Sequence, residues 1–212
     1  MATSYPAVKV IIVPGPSISE QEWWPQVHAL VNGAYEFKDL SMFPPTWYRL
    51  NLDPIKGAKG LAAELGNEGH LAVAFDHAQQ PIACGGMLPF RGEKWIQSAF
   101  EKKSDAEIAN GARPATVLPS DWETCCWCVG PSARGQGLSR RILQEVIDFL
   151  KPRGAQRLYS NYVMAETGDF WPKLGFVSVP GAGGMLPKGW QKNPAEEGLR
   201  ADIHFGLGVL AL

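Results

Sequence analysis

The sequence predicts a mixed α/β domain, and three observations support this fold class. The chain has 212 residues, the size of one large domain. Apolar residues make up 45% and charged residues 19% of the chain, a balance that excludes wholesale disorder. Segments rich in β-branched residues alternate with segments in which apolar residues recur at helical spacing. We therefore expect residues 1–212 to form a single domain, with an insertion around residues 90–120.

The charge and the apolar runs exclude some classes of partner. Lys and Arg total 20, Asp and Glu total 21, and the net charge is −1. A near-neutral chain has no overall attraction for nucleic acid or for an anionic membrane. The apolar run Val10–Val13 is far too short for a membrane span or a secretory signal. We expect a cytoplasmic protein, monomeric or homodimeric, without nucleic-acid or membrane partners.

The four cysteines predict neither a disulfide framework nor a metal site. Cys125, Cys126 and Cys128 lie within four residues of one another, and Cys84 lies far away. The C-x-x-C formed by the first and last of these has no second pair and no histidine at ligand spacing. We interpret the cysteines as small apolar residues on a buried strand, reduced as in a cytosolic protein.

The N-terminal part of the chain predicts a strand and then a helix. Val8–Val13 is dense in β-branched residues. Ser19 and Glu22 have the spacing of a capping box, so a helix is expected to start there, with Pro25 early in it. An aromatic-rich connection follows over residues 35–50.

The middle of the chain predicts an antiparallel pair of strands between two helices. Residues 59–65 form a weak helical pattern. Residues 70–75 and 81–88 are strand-like and are separated by a turn. Residues 93–103 are predicted as a helix, and an irregular connection follows over residues 104–120.

The C-terminal part begins with a strand–helix–strand unit. Residues 122–129 and 156–163 are predicted strands, and apolar residues recur at helical spacing over residues 138–150. Such a unit should be parallel and right-handed. The remaining elements are a short helix, a strand, a long loop rich in Gly and Pro, and a closing strand: 170–174, 176–179, 180–198 and 201–212.

The turn between strand 122–129 and helix 138–150 is the segment that points to chemistry. Gly135 and Gly137 have no Cβ, so a ligand can approach their backbone closely. The first turn of a helix offers unpaired N–H donors and a partial positive charge, which suits a pyrophosphate. Arg134, Arg140 and Arg141 add positive charge. The third glycine of a Rossmann motif and the Gly-Lys-Ser/Thr of a Walker A motif are both missing.

This turn resembles the acyl-CoA-binding motif of the GNAT superfamily of N-acetyltransferases. Val-x-Pro-x-x-Arg-Gly-x-Gly runs from Val129 to Gly137. The family form is Arg/Gln-x-x-Gly-x-Gly/Ala, and Arg134, Gly137 and Ser139 occupy its places here. Ser139 departs from the last place but is also small.

A second segment resembles the same family. Phe170-Trp171-Pro172-Lys173-Leu174-Gly175-Phe176 is similar to the family's Phe-Tyr-x-Lys-Leu-Gly-Phe. A strand that carries Asn161 separates the two segments, as it does in the family. The resemblance implies a GNAT-like fold: a central, mostly antiparallel sheet flanked by helices, with one splayed parallel pair of strands at 122–129 and 156–163.

The resemblance also implies acetyl-CoA as the acyl donor, and no metal. The pantetheine arm would lie between the two splayed strands. The main chain of Trp127, Cys128 and Val129 would contact pantetheine and the acyl carbonyl. The residues implied for the pyrophosphate are Arg134, Gly135, Gln136, Gly137, Leu138, Ser139 and Arg140, and those implied along the CoA path are Asn161, Phe170 and Lys173.

The implied reaction is direct attack of an amine on the thioester. An alkylamine of pKa about 10.4 is mostly protonated at pH 7, and neutralising it costs roughly 4–5 kcal/mol, so a general base is useful. Glu123 lies close to where some members of the family place a glutamate base. Even spacing would put it on one strand face with Cys125, Trp127 and Val129. The alternative is a solvated carboxylate at a strand end.

The sequence leaves several candidates for the group that donates a proton to the leaving thiolate. The family often uses a tyrosine at the place where Trp171 stands, and an indole N–H is far too weak an acid. Tyr162 or Tyr159 could substitute, or water could, because a thiolate leaves with little help.

The acceptor is predicted to be the primary amine of a small molecule. Tyr35, Phe43, Trp47 and Tyr48 could stack on an apolar or aromatic amine, or could pack against the first helices. No acidic run marks a polycation site, and a neutral chain gives no reason to prefer a histone tail. The alternatives are a module that binds acyl-CoA without turnover, a protein or peptide acetyltransferase, and a nucleotide-binding protein of another class.

Overall fold

The structure is a computed structural model that describes residues 8–93, 95–96, 117–191 and 196–212. The predicted helix over residues 93–103 and most of the expected insertion at 90–120 lie outside the described residues. Along the chain, contacts define two compact units. The first unit comprises Met1–Phe37, Tyr48–Leu88 and Thr124–Gly154, and the second comprises Lys38–Trp47, Pro89–Glu123 and Ala155–Leu212. The single domain over residues 1–212 stays a prediction.

The first unit is an antiparallel sheet with three α-helices. Its strands follow the order β1-β2-β3-β4. Strand β1 pairs with β2 from Lys9 opposite Phe75 to Pro14 opposite His70, and β2 pairs in turn with β3. The elements are β1 (Lys9–Pro14), a 3-10 helix (Gly15–Glu20), α1 (Trp24–Tyr35), α2 (Pro54–Leu65), β2 (His70–Phe75), β3 (Pro81–Pro89), β4 (Asp121–Val129), a 3-10 helix (Pro131–Ala133), α3 (Leu138–Leu150) and a 3-10 helix (Lys151–Arg153).

The core of the first unit forms where α1 and α2 bury their apolar stripes. Val27 and Val31 of α1 and Leu61 of α2 are almost fully buried in one cluster with Leu71 and Val73 of β2. Helix α3 likewise buries one face, formed by Leu138, Ile142, Leu143, Val146 and Leu150. This is the apolar stripe that the helical spacing predicted.

The second unit is built around the C-terminal strand. Its elements are β5 (Arg157–Val163), α4 (Met164–Thr167), α5 (Phe170–Lys173), β6 (Val177–Ser178), β7 (Gly184–Leu186) and β8 (Ile203–Ala211). Strand β8 is antiparallel to β5, β6 and β7. The first three residues of β4 belong to this unit, where β4 starts beside β5 in parallel orientation. The predicted mostly antiparallel sheet with one parallel pair is therefore confirmed.

Three element boundaries differ from the sequence predictions. The capping box at Ser19 is wrong: that segment is a 3-10 helix, and α1 begins at Trp24, where Pro25 fits a first turn that needs no donor from it. Helix α2 starts at Pro54 because the Asp53 side chain accepts hydrogen bonds from the amides of Ile55 and Lys56. The loop predicted at 180–198 contains the short strand β7.

No helix in the described ranges combines the length and the apolar character that a membrane span requires.

Candidate functional site

In the first unit, the turn that joins β4 to α3 is anchored where it leaves β4. The Gly130 amide donates to the Ile82 carbonyl at 2.8 Å and continues the pairing of β3 with β4. A Cβ at Gly130 would lie 2.9 Å from Leu30, so a larger residue would collide with α1. The 3-10 turn that follows buries Ala133. These contacts fix where α3 begins.

The glycines of this turn are needed for their backbone angles. Gly135 has a φ of +76° and Gly137 a φ of +72°, a region that residues with a Cβ rarely adopt. A Cβ at either position would meet nothing within 4 Å, so the space beside both is open. Gly137 is the N-cap of α3, and no side chain caps the helix. The first amides of α3 therefore need acceptors from outside the helix.

Positive charge surrounds this helix start. Arg134 is exposed, its guanidinium lies 4.8 Å from the centre of the Phe37 ring, and its Nε reaches the Val129 carbonyl at 3.5 Å. Arg140 is also exposed, and Arg141 pairs with Glu145 at 2.8 Å. Unpaired amides, a helix dipole and two exposed arginines together favour a polyanion such as a diphosphate.

Strand β4 departs from regular alternation at Cys126. The φ of this residue is +49°, in the left-handed region. A Cβ at Gly86 would lie 2.6 Å from the Cys125 sulfur, whereas one at Gly85 would overlap the Trp127 ring. Neighbouring residues of a strand point to opposite faces, so Cys125 and Trp127 also point to opposite faces.

The face predicted for β4 is therefore wrong. Even spacing had placed Glu123, Cys125, Trp127 and Val129 together. The irregularity at Cys126 acts like a β-bulge, so the side chains after it change face. The sequence carries no signal for it, because no glycine marks the position.

Three cysteines meet in the core of the first unit. The Cys84 sulfur lies 3.5 Å from the Cys128 sulfur and 3.6 Å from the Cys126 carbonyl oxygen. These three side chains are buried, Cys125 is half-buried, and none of the four forms a disulfide. In the described part of the chain, no three His, Cys, Asp or Glu side chains are arranged to hold a metal ion.

Tyr35 of α1 reaches the middle of β4. Its hydroxyl lies 3.5 Å from the Trp127 carbonyl, the outer limit of a hydrogen bond. Tyr35 is 36% exposed, but desolvation of its hydroxyl end by neighbouring groups raises the pKa of the phenol above its ordinary value. A phenol in this state is a poor proton donor to a thiolate. Tyr48, also predicted to contact the acceptor, is half-buried in the same unit.

In the second unit, Glu123 is fully buried and paired with Arg91. The Arg91 amide donates to Glu123 Oε2 at 3.0 Å, and the Arg91 guanidinium binds Oε1. That guanidinium also lies over the Trp95 ring, 3.3 Å from its centre. Glu123 is therefore not the solvated carboxylate of the alternative interpretation, and most of its acceptor sites are occupied. No local sequence signal indicates Arg91 as the partner, because it lies 32 residues away.

A second buried carboxylate starts the same strand. Asp121 receives two hydrogen bonds of 2.7 Å from the Arg157 guanidinium, and it is 1% exposed. This fork joins the first residue of β4 to the first residue of β5. Sequence reasoning missed the pair because only the parallel pairing of the two strands brings it together.

Strand β5 carries an asparagine whose side-chain N–H donor has no acceptor among the described residues. Asn161 stands opposite Leu207 of β8, and its Nδ2 is buried with no hydrogen-bond partner among the described residues. An unpaired buried donor is costly unless a ligand or water accepts from it. Asn161 is thus a candidate ligand contact.

Tyr162, on the same strand, packs on a glycine opposite it. A Cβ at Gly206 would lie 2.8 Å from the Tyr162 ring, and Tyr162 is 9% exposed. The Trp171 ring is stacked at 6.4 Å from Tyr162 and makes edge contacts with Phe170 and Phe176. Trp171 is buried, so the family's tyrosine place is filled here by a core side chain.

Two further residues predicted to line the CoA path lie on helix α5. Phe170 is half-buried and Lys173 is exposed in the last turn of this short helix.

Two residues predicted for the acceptor lie in an aromatic cluster of the second unit. Phe43 is buried and lies 5.6 Å from the Trp47 ring, which in turn meets Trp190 at 5.7 Å. Arg200 donates to the Leu40 carbonyl and Glu166 accepts from the Asp39 amide, so this segment is tied down. Phe43 therefore fits the packing interpretation.

Comparison with solved structures reveals the same fold in several acetyltransferases. The E. coli ribosomal-protein-S18-alanine N-acetyltransferase is 12% identical with a TM-score of 0.55, over 97% of this chain and 94% of that one. A GNAT-family acetyltransferase from Staphylococcus aureus is 11% identical with a TM-score of 0.56, over 97% and 99%. The Bacillus cereus IAA acetyltransferase is 13% identical with a TM-score of 0.52, over 97% and 100%.

Sequence comparison identifies the family. No curated protein sequence matches the chain significantly. The sequence model of the acetyltransferase (GNAT) family matches residues 24–176, which is more than half of the chain. This span includes the glycine turn, helix α3 and the Phe170–Phe176 segment. The chain therefore belongs to the GNAT family of acetyltransferases.

Proposed function

We propose that the protein is an N-acetyltransferase that moves an acetyl group from acetyl-CoA to the primary amine of a small molecule. The observation that carries this proposal is the start of α3, which no side chain caps and where Gly135 and Gly137 leave open space, in a member of this family. Four cysteines without a disulfide fit the reducing cytoplasm.

The described residues suit acetyl-CoA. In the first unit, the amides of residues 135–140 and the exposed Arg134 and Arg140 offer donors and charge for a diphosphate. The remaining proposed contacts there are Gln136, Leu138 and Ser139. In the second unit, the buried Asn161 Nδ2 lacks an acceptor within the described ranges, and an amide carbonyl of pantetheine would supply one. Phe170 and Lys173 complete the proposed contacts of that unit.

Acetyl-CoA supplies an activated thioester, and the protein's residues orient it and manage protons. The main chain of Trp127, Cys128 and Val129 is proposed to orient the thioester and to donate toward its carbonyl oxygen. The acceptor amine must lose a proton before it attacks, at a cost of roughly 4–5 kcal/mol at pH 7. Glu123 is our proposed base.

Tyr162 is the proposed proton donor to the leaving thiolate. Tyr159, on the same strand, is the poorer donor, because burial raises the pKa of its phenol. Its ring is also stacked on Phe90 at 3.8 Å.

For the acceptor we favour a small amine, with Tyr35 and Tyr48 as aromatic contacts and Trp47 as a further one. The near-neutral charge of the chain gives no pull toward a polycationic peptide. The likeness to an E. coli enzyme that acts on a ribosomal protein supports a protein amine as the alternative acceptor.

A second candidate function is acyl-CoA binding without turnover. The buried Trp171 favours it, because this residue cannot donate a proton as the family's tyrosine does. Release of CoA in the presence of an amine panel separates the two functions: a binding module is stabilised by acetyl-CoA but releases none.

The proposal is tested by Gly137→Trp, with Gly154→Trp as the matched control. Both glycines have positive φ and open space, so strain is comparable, but Gly137 precedes α3 whereas Gly154 follows the 3-10 helix after α3. A bulky side chain at position 137 fills the proposed diphosphate site. We expect acetyl-CoA affinity, measured by calorimetry, to fall at least about tenfold in the first variant and to stay near wild type in the second.

Equal affinity in wild type and Gly137→Trp would contradict the diphosphate site. Absence of CoA release by the wild-type protein across a broad panel of amines and N-terminal peptides would contradict the transferase function.

A further inference from the structure

Two facing cysteines of the first unit have the geometry of a disulfide in its reduced state. The Cys84 and Cys128 sulfurs are 3.5 Å apart, and both side chains are buried, at 0% and 7% exposure. They lie on the neighbouring strands β3 and β4. Neither residue has a role in the acetyl transfer through its side chain.

The register of the two strands places these cysteines opposite each other. The Gly130 amide donates to the Ile82 carbonyl at 2.8 Å, and Cys84 and Cys128 lie two residues further along each antiparallel strand. Such pairs have a Cα separation of about 5.5 Å, which is within the range of disulfide-bonded cysteines. Side-chain rotation together with a small movement of β4 toward β3 can therefore bring the sulfurs to a bonding distance of about 2.05 Å.

The other two cysteines are less well placed. Cys125 packs against Gly86, beyond the irregularity of β4. Cys126 contacts Cys84 through its thiol as well as its carbonyl oxygen, but its left-handed backbone shifts its position opposite β3. The geometry therefore favours Cys128 as the partner of Cys84.

We propose that Cys84 and Cys128 form a reversible redox pair, which closes to a disulfide when the protein meets a peroxide and lowers acetyl transfer. This inference rests on the proposed function only for its effect on activity.

The reaction balances with peroxide as the oxidant. The Cys128 thiolate, the more exposed of the two, attacks a peroxide oxygen and becomes a sulfenic acid while hydroxide leaves and is protonated. The Cys84 sulfur then attacks the Cys128 sulfur, forms the S–S bond and expels water. In total, two thiols and one hydrogen peroxide give one disulfide and two waters, and a dithiol reverses the change.

The environment of the Cys84 thiol suits the second of these steps. Hydrogen bonding with Cys126 and Cys128, together with burial, raises the pKa of the Cys84 thiol. Cys84 is therefore the unreactive member until a neighbouring sulfur is oxidised.

The expected effect on activity follows from the position of Cys128. Its main chain lies between those of Trp127 and Val129, which we propose to orient the thioester. Closing the sulfur gap by about 1.5 Å draws this part of β4 toward β3. We expect the oxidised protein to release CoA at least about fivefold more slowly, an effect that a misplacement below 1 Å could produce.

The test counts thiols and maps the linkage. Folded protein is treated with hydrogen peroxide, denatured and alkylated with iodoacetamide, and its mass is then measured by mass spectrometry. We expect four alkylated cysteines to fall to two, with Cys84 and Cys128 in one disulfide-linked peptide, and treatment with dithiothreitol to restore four. Cys125→Ser is the control that should still oxidise, and Cys84→Ser and Cys128→Ala should not.

Four remaining alkylated thiols, or a linkage to Cys125 or Cys126, would overturn the proposed pair. A mapped Cys84–Cys128 disulfide with unchanged CoA release would overturn its effect on activity. If reduced protein releases no CoA at all, the proposed function fails, while thiol counting still decides the pair.

Discussion

Glu123 has two roles open to it, and its contact with Arg91 allows them to be separated. The carboxylate is fully buried and accepts hydrogen bonds from the Arg91 amide and guanidinium. A charged pair of this kind holds β4 to the segment that follows β3. A general base requires, in addition, a free lone pair aimed at the acceptor amine.

We expect Glu123→Gln to destabilise the protein. The amide weakens charge-assisted hydrogen bonds, and Arg91 is 22% exposed and can recover water, so the loss should be about 1–3 kcal/mol. Urea unfolding measures it. The control is Glu145→Gln, which removes an exposed pair with Arg141 and should cost almost nothing. A variant that keeps wild-type turnover, with an unchanged pH profile, would exclude the base role.

At the same scale, Tyr162→Phe tests the proton donor. The ring keeps its packing on Gly206, so the fold should persist while the hydroxyl is lost. If Tyr162 protonates the thiolate, kcat should fall about 10²-fold or more with little change in the KM for acetyl-CoA. Tyr159→Phe, on the same strand, is the control and should keep its kcat. Equal kcat values for wild type and Tyr162→Phe would leave water as the donor.

At the scale of elements, β3 must have residues without a side chain where β4 packs large side chains against it. Gly85 lies under the Trp127 ring, and a Cβ there would overlap it. We expect Gly85→Ala to cost about 1–3 kcal/mol, because the indole or the strand must move. Gly60→Ala is the contrasting variant: it lies within α2, where a Cβ meets nothing within 4 Å, and should stabilise by about 0.5–1 kcal/mol. Loss of stability in both variants would contradict this account.

The elements also show which features a sequence can predict. Helix α3 begins and ends where its apolar spacing predicted, because that spacing is the stripe it buries. The start of α2 had a local signal, the Asp53 cap followed by Pro54, which was missed. The irregularity at Cys126 and the short strand β7 had no local sequence signal. Pairing with β3 determines the first, and pairing with β8 determines the second.

At the scale of the molecule, the order of elements and two local motifs were sufficient to predict the family. Each motif consists of residues that are close together in the chain, so it can be recognised without knowledge of tertiary packing. The partners of Glu123 and Asp121 could not be predicted, since Arg91 and Arg157 are 32 and 36 residues away and tertiary packing alone brings them near. Phe43 illustrates the converse case, in which an aromatic residue proposed for substrate became core.

The free energy of unfolding of the whole molecule should fall in two separate pH ranges, which we call the first and the second window. Burial lowers the pKa of His70, which packs on Phe149 of α3 at 4.8 Å. Between this lowered pKa and about 6.5, the unfolded chain binds a proton that the folded protein does not. The free energy of unfolding must therefore fall as the pH drops from 7 through this range. Hydrogen bonds lower the pKa values of Asp39 and Asp53, and their contributions are lost only below about pH 4.

His70→Gln should remove the first window and keep the second. Urea unfolding at pH 7, 6 and 5 measures the slope, and His77→Gln, on the exposed turn between β2 and β3, is the control with the wild-type slope. A glutamine at position 70 can keep a polar contact but cannot take up a proton, so the slope between pH 7 and 5 should flatten. If the slope persists in His70→Gln, another buried group governs acid sensitivity, and the packing of β2 on α3 does not depend on a neutral imidazole.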